Sequence, residues 1–304
     1  MLINQRETKE GSRFAINPVF DIVFAAFILS GGGIWTKLSG QDAFVLAFFR
    51  ALIPVLFLSI LNRIKASGEK FIHAPNRWLI LASLLNAVRS LLFFQALILT
   101  DISKAVVMLY LWPVFVMVLN IVFKKEKATV VKVLCIVLAF AGIVIIYLEN
   151  FLTDSLDVHD VYGMTVMMVS SFIYSLTIMI FKDQGQDRNH FEITFYQNLA
   201  VVPLFFAGSL VRFIAVPEAL EKLSLQGAGL ASLNGLLSGV FGFLLYFRGM
   251  SRMESSKAGQ LANLEVVFTV IAGIILFNEK PGISFLIGAL LIVSAAVGRT
   301  FIRK

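Results

Sequence analysis

From Ala105 to Phe123 the chain passes nineteen residues without a charge, yet Tyr110, Trp112 and Pro113 stand together near the middle of that run. A helix needs about 20 apolar residues to cross the hydrocarbon core of a bilayer. Such a segment constrains the chain strongly, because lipid offers no water to an unpaired backbone group. Proline carries no N–H, so the carbonyl four residues back, that of Leu109, loses its helical donor. A helix with this defect at mid-depth needs a neighbour, a water or a cavity to satisfy the carbonyl. Tyrosine and tryptophan ordinarily collect at the membrane interfaces. Their position at mid-run places both rings, in expectation, against one cavity beside the proline kink.

Nine further runs resemble this one in length and apolarity. Together the ten cover about residues 17–38, 42–62, 76–99, 103–123, 129–149, 161–182, 191–214, 227–250, 256–277 and 282–301. With 58% hydrophobic and only 15% charged residues, the chain lies well outside the range of soluble domains. The expected fold class is an all-α integral membrane protein with ten transmembrane helices. Sixteen mostly polar residues precede the first run, and no cleavable leader is read there. Cys135 is the sole cysteine, so no intrachain disulfide or thiolate metal site can form. His73, His159 and His190 fall in predicted loops, and no metal or cofactor is expected.

The net charge of +7 could suggest nucleic acid, but its distribution speaks for topology. If both termini are cytoplasmic, the inner segments carry 19 Lys and Arg and the outer loops 5, with Arg50 and Arg89 inside spans. That bias is the positive-inside pattern. The predicted location is a plasma membrane, in a bacterium the inner membrane, with lipid as surroundings and no nucleic-acid partner.

The chain also repeats itself at a separation of 153 residues: Ser103-Lys104-Ala105 falls on Ser256-Lys257-Ala258, and Glu126-Lys127 on Glu279-Lys280. Five helices per unit is an odd number, so the second copy enters the membrane inverted. The predicted halves are 1–155 and 156–304, two inverted five-helix repeats. Such repeats build many secondary transporters, where exchanging the conformations of two halves exchanges inward and outward access.

The stretches "AFFRALIPVLFL", "LYLWPVF" and "LANLEVVF", with Glu-Lys after both the fourth and ninth runs, resemble the drug/metabolite transporter superfamily, specifically its EamA-type members. "YLWP" looks most like the branch of aromatic amino acid exporters. The ninth helix of that group commonly reads Leu-Glu-Pro; here it reads Leu264-Glu265-Val266. The resemblance implies a secondary transporter of small organic metabolites, amino acids or related zwitterions, working outward as a monomer or weak homodimer. Relatives of this type also include importers, such as uptake carriers for S-adenosylmethionine, so the opposite direction stays open. An integral membrane enzyme would need a catalytic constellation, and none is recognisable. A channel would need a ring of repeated polar residues.

Charged side chains at mid-membrane are expensive and ordinarily face a bundle interior. Arg89 and Glu265 are therefore the leading substrate-binding candidates, with Phe93 on the face of Arg89. Tyr110, Trp112, Tyr174, Tyr246 and Asn263 are the other expected cavity residues. Arg89 could fork onto a carboxylate, while Glu265 takes an ammonium or a coupling proton. A permanent Arg89–Glu265 bridge is the structural alternative. Pro113, Gly32 and Arg50 are the expected break or gating positions, Arg50 lying close enough to a span end to snorkel.

Overall fold

The computed structural model describes residues 17–64, 72–123, 127–152, 158–184, 188, 190–218, 223–250, 252, 261 and 264–298. Among the described residues the secondary structure is helical, without strands. In chain order the helices are α1 (Pro18–Ser39), α2 (Ala43–Ile64), α3 (Arg77–Leu99), α4 (Ile102–Leu109), α5 (Trp112–Val122), α6 (Val130–Leu152) and α7 (Val158–Gln184). They continue as α8 (His190–Leu199), α9 (Val201–Ala215), α10 (Leu225–Leu236), α11 (Phe243–Met250), α12 (Leu264–Phe277) and α13 (Ile283–Gly298).

Over the described residues, the apolar runs read from the sequence are helices or broken helices. Among the described residues eight of these passages are long and apolar enough to cross a membrane, and the helices Leu264–Phe277 and Ile283–Ala295 are apolar but shorter. Local chemistry sets several ends. The Asn17 side chain accepts from the Val19 N–H ahead of Pro18 at the first helical position, and Asn76 accepts from the Leu79 N–H at 2.9 Å. Gly40 closes α1 in the left-handed conformation at φ 62°. The outward stripe of α6, Val133, Val137, Phe140 and Val144, is exposed at helical spacing, the surface a lipid environment would cover.

Three passages are interrupted. The fourth breaks at Tyr110 and Leu111, between α4 and α5. The Ser171 hydroxyl of α7 donates to the Leu109 carbonyl at 2.8 Å, so the group that Pro113 orphans is satisfied by a neighbouring helix. The seventh breaks at Ala200, between α8 and α9. The eighth contains a π-helical turn, Leu237–Gly242, between α10 and α11. π turns are local bulges in a helix that are frequent at functional sites.

Packing brings the two sequence halves together helix by helix. Helix α3 runs along α7, α6 along α13, and α2 against α9 and α10; α1 contacts α10, α11 and α12, while α4 lies between α7 and α12. The α6–α13 approach depends on two glycines, since a Cβ on Gly142 would lie 2.6 Å from the Gly288 carbonyl. At α2, Pro54 removes the helical donor of the Arg50 carbonyl. Gly235 packs there; a Cβ on it would meet that carbonyl at 2.8 Å.

Candidate functional site

The break in the fourth passage turns Tyr110 toward α12, where its hydroxyl donates to Glu265 Oε2 at 2.9 Å. Trp112, on the other side of the break, packs edge-on against Tyr174 of α7 with ring centroids 5.6 Å apart. One defect therefore delivers both rings to the same cluster, Tyr110 through Glu265 and Trp112 through Tyr174.

Arg89 of α3 joins them. Its guanidinium carbon lies 4.4 Å from the Tyr174 ring centroid and 5.0 Å from that of Phe93. A desolvated cation over an aromatic face gains about 2 kcal/mol. Arg89 Nε is buried without a hydrogen-bond partner, and no carboxylate among the described residues lies within 4.0 Å of the guanidinium. Arg89 and Glu265 thus interact electrostatically across the cluster without forming a bridge. The Arg89 carbonyl is held separately, accepting from the Ser170 hydroxyl at 3.0 Å. Tyr246 of α11 lies within electrostatic reach of Tyr174 and Glu265.

Arg50 is turned inward rather than snorkelling to an end. Its guanidinium carbon lies 5.9 Å from the Phe94 ring centroid, and Phe94 packs edge-on against Phe93 at 5.2 Å. The two arginines accordingly cover neighbouring rings of α3 and feel one another's charge. Gly32 lies within an α1 that continues unbroken through Gly31–Gly33, facing Asn234 and Ser238 across the interface with the eighth passage. Asn263 lies outside the described residues.

Six helices therefore contribute to one polar centre inside an apolar bundle: Arg50 from α2, Arg89 and Phe93 from α3, and Tyr110 from the α4–α5 break. Trp112 from α5, Tyr174 from α7, Tyr246 from α11 and Glu265 from α12 complete it. Two guanidiniums, a carboxylate and aromatic faces are suited to hold a carboxylate, an amine and an apolar body. Among the described residues no group of three or more His, Cys, Asp or Glu is placed to hold a metal ion.

Sequence reasoning missed two carboxylates at one end of the bundle. Both are buried and both grip the start of α4. Asp160 of α7 accepts from the Thr100 hydroxyl and from Lys104 Nζ, the latter at 2.6 Å. Glu279, after α12, accepts from the Ile102 N–H at 2.8 Å, the Ser103 N–H at 3.2 Å and the Ser103 hydroxyl at 2.6 Å. Lys37 Nζ lies 3.4 Å from Glu279. A carboxylate on the exposed N–H groups at a helix start is favoured by the helix dipole. Asn278, at φ 56°, turns the chain so that Glu279 folds back onto this site. The signal was present: Ser103 and Glu279 belong to the two repeated signatures, which touch each other across the halves. At the other end of the bundle, Asp21 of α1 accepts from Arg248 Nε at 2.9 Å and Nη2 at 2.5 Å.

An apolar helical bundle with a charged aromatic centre defines a multi-pass membrane protein. The EamA-like transporter family matches residues 17–148 and 161–300, and the chain belongs to it. It is 23% identical over 256 residues to the uncharacterized transporter YoaV of Bacillus subtilis, covering 84% of this chain and 85% of that one. It is 25% identical over 297 residues to human solute carrier family 35 member G1, covering 94% of this chain and 79% of the relative. A solved crystal structure shares the fold at TM-score 0.62 and 17% identity, covering 94% of this chain and 98% of that one. The protein is a membrane transporter with a small-molecule substrate.

Proposed function

We propose that this transporter moves small carboxylate-bearing metabolites, amino acids or related zwitterions, by alternating access of two inverted five-helix halves, residues 1–155 and 156–304. The observation that carries the reading is the arrangement at the centre. Arg89 Nε is buried and unpartnered over Tyr174, while Glu265 is held by Tyr110 on the facing side. A substrate carboxylate would take the open guanidinium in a bidentate pair. Its amine, or a coupling proton, would compete with the Tyr110 hydroxyl for Glu265. The rings of Tyr110, Trp112, Tyr174 and Tyr246 would enclose the body.

The packing supports the inverted-repeat part. Exchanging the halves turns the contact of α3 with α7 into that of the eighth passage with α1, and the contact of α4 with α7 into that of α12 with α1; all four are present. Contacts α6–α13 and α4–α12 map onto themselves. Under the 153-residue offset Trp112 corresponds to Glu265 and Tyr110 to Asn263, so the two halves carry different chemistry at corresponding sequence positions. In this reading the ten spans come from the ten apolar runs and the cytoplasmic termini from the charge bias, while a plasma-membrane location and export come from the resemblance carried by "YLWP".

The test is counterflow with purified protein in liposomes against a panel of metabolites. Saturable exchange of carboxylate-bearing compounds is the expected result. Chemical conversion of a compound, or a conductance that does not saturate, would count against the proposal.

A further inference from the structure

Resting on that reading, we infer that the preferred substrate carries one more anionic than cationic group, a net monoanion in place of a neutral zwitterion. The inference comes from the charge count of the built site. Arg50 and Arg89 lie over the adjacent, mutually packed rings of Phe94 and Phe93. Neither has a carboxylate within 4.0 Å among the described residues. The single acid among the described residues of the cluster, Glu265, is engaged by Tyr110 instead. If Glu265 is ionised, two guanidiniums face one carboxylate; if it is protonated, they face none. In both states the centre has excess positive charge.

A charge held in a low-dielectric interior is costly unless it is compensated. A neutral zwitterion brings one charge of each sign and leaves the sum unchanged. A substrate with net charge −1 cancels the excess when Glu265 is ionised. Two arrangements meet that condition. In one, two acid groups meet the two arginines while an ammonium meets Glu265. In the other, a single carboxylate without an amine bridges the arginines. Arg50 is then a specificity-determining residue: Arg89 holds a carboxylate that neutral and acidic substrates share, and Arg50 supplies the extra charge.

Matched pairs differing by one charge test this: L-glutamate against L-glutamine and L-aspartate against L-asparagine, with lactate as the amine-free monoanion. Counterflow by the purified full chain in liposomes is measured at pH 7, with thermal stabilisation in detergent as a second readout. The acidic member of each pair, or lactate, should exchange at least about tenfold better than the amides, corresponding to one factor of ten in affinity. Exchange of glutamate and aspartate above lactate selects the two-acid arrangement, and the reverse order the amine-free one; both support the net-anion assignment. Arg50→Gln removes the excess charge and should collapse the preference toward unity, while Arg50→Lys should keep it. If Arg50→Gln does not fold, Glu265→Gln changes the sum in the other direction and should widen the preference. Wild-type exchange of the amides above the acids and lactate would overturn the net-anion assignment and leave the carboxylate reading standing. Exchange of none of the five compounds, without stabilisation by any, would overturn both. An unchanged ratio in Arg50→Gln, or a narrowed one in Glu265→Gln, would also overturn the assignment.

Discussion

The Ser171 hydroxyl donates at 2.8 Å to the carbonyl of Leu109, the backbone group that Pro113 deprives of its donor. The break that carries Tyr110 and Trp112 into the centre is thus pinned from α7, the helix that also supplies Tyr174. Removing the hydroxyl should leave a buried carbonyl unsatisfied, at a cost of about 1–3 kcal/mol. Ser171→Ala is therefore expected to lower thermal stability in detergent. In a Pro113→Ala background residue 113 regains its N–H, and the same substitution should cost much less. Equal losses in the two backgrounds would show that the proline and serine are uncoupled.

The sequence made part of this centre visible and hid the rest. Pro113 in a charge-free run demands a rescuer, so a break with Tyr110 and Trp112 beside it could be expected. Which side chain performs the rescue depends on how α7 rotates against α4, a tertiary relation with no local signature. Arg89 and Glu265 were visible because a charge at mid-span is costly and ordinarily faces the bundle interior. Their lack of a mutual bridge was not, since similar depth in two helices says nothing about distance between them. Arg50 pointed two ways from sequence, because a long side chain near a helix end can snorkel; packing of its backbone against Gly235 and its position over Phe94 decide for the interior. The π turn had only the glycines Gly235, Gly239 and Gly242 as a hint, and these equally signal close packing.

Orientation is testable apart from the site. With Cys135 replaced by alanine, Ser67→Cys should resist an impermeant thiol reagent in intact cells, and Ser155→Cys should react. Labelling of the first from outside would invert the topology.

Glu279 joins the second half to the start of α4, so it should help keep that end of the bundle closed. Glu279→Ala removes the acceptor of two N–H groups and one hydroxyl. The expected outcome is faster thiol labelling of a cysteine placed at Ala105, several-fold for each kcal/mol shifted toward the open state. Unchanged labelling would assign Glu279 a purely local role.

Trp112 should act through its ring. Trp112→Ala is expected to reach the membrane but lose most transport, while Trp112→Phe keeps more, because an edge-on ring contact with Tyr174 and much of the volume survive. Wild-type transport by Trp112→Ala would move the ring out of the substrate path.

The most direct test of the central claim, that Arg89 and Glu265 handle substrate and are not a structural pair, is counterflow by the Arg89→Gln, Glu265→Gln double variant beside the two single ones. In the structure Glu265 bonds Tyr110 and Arg89 Nε has no partner, so neither substitution breaks a bridge. Each single variant should fold with near wild-type thermal stability, Glu265→Gln should lose the pH dependence of transport, and the double variant should remain inactive. Single variants that fail to fold, with folding and transport restored together in the double variant, would contradict the account and return the pair to a structural role.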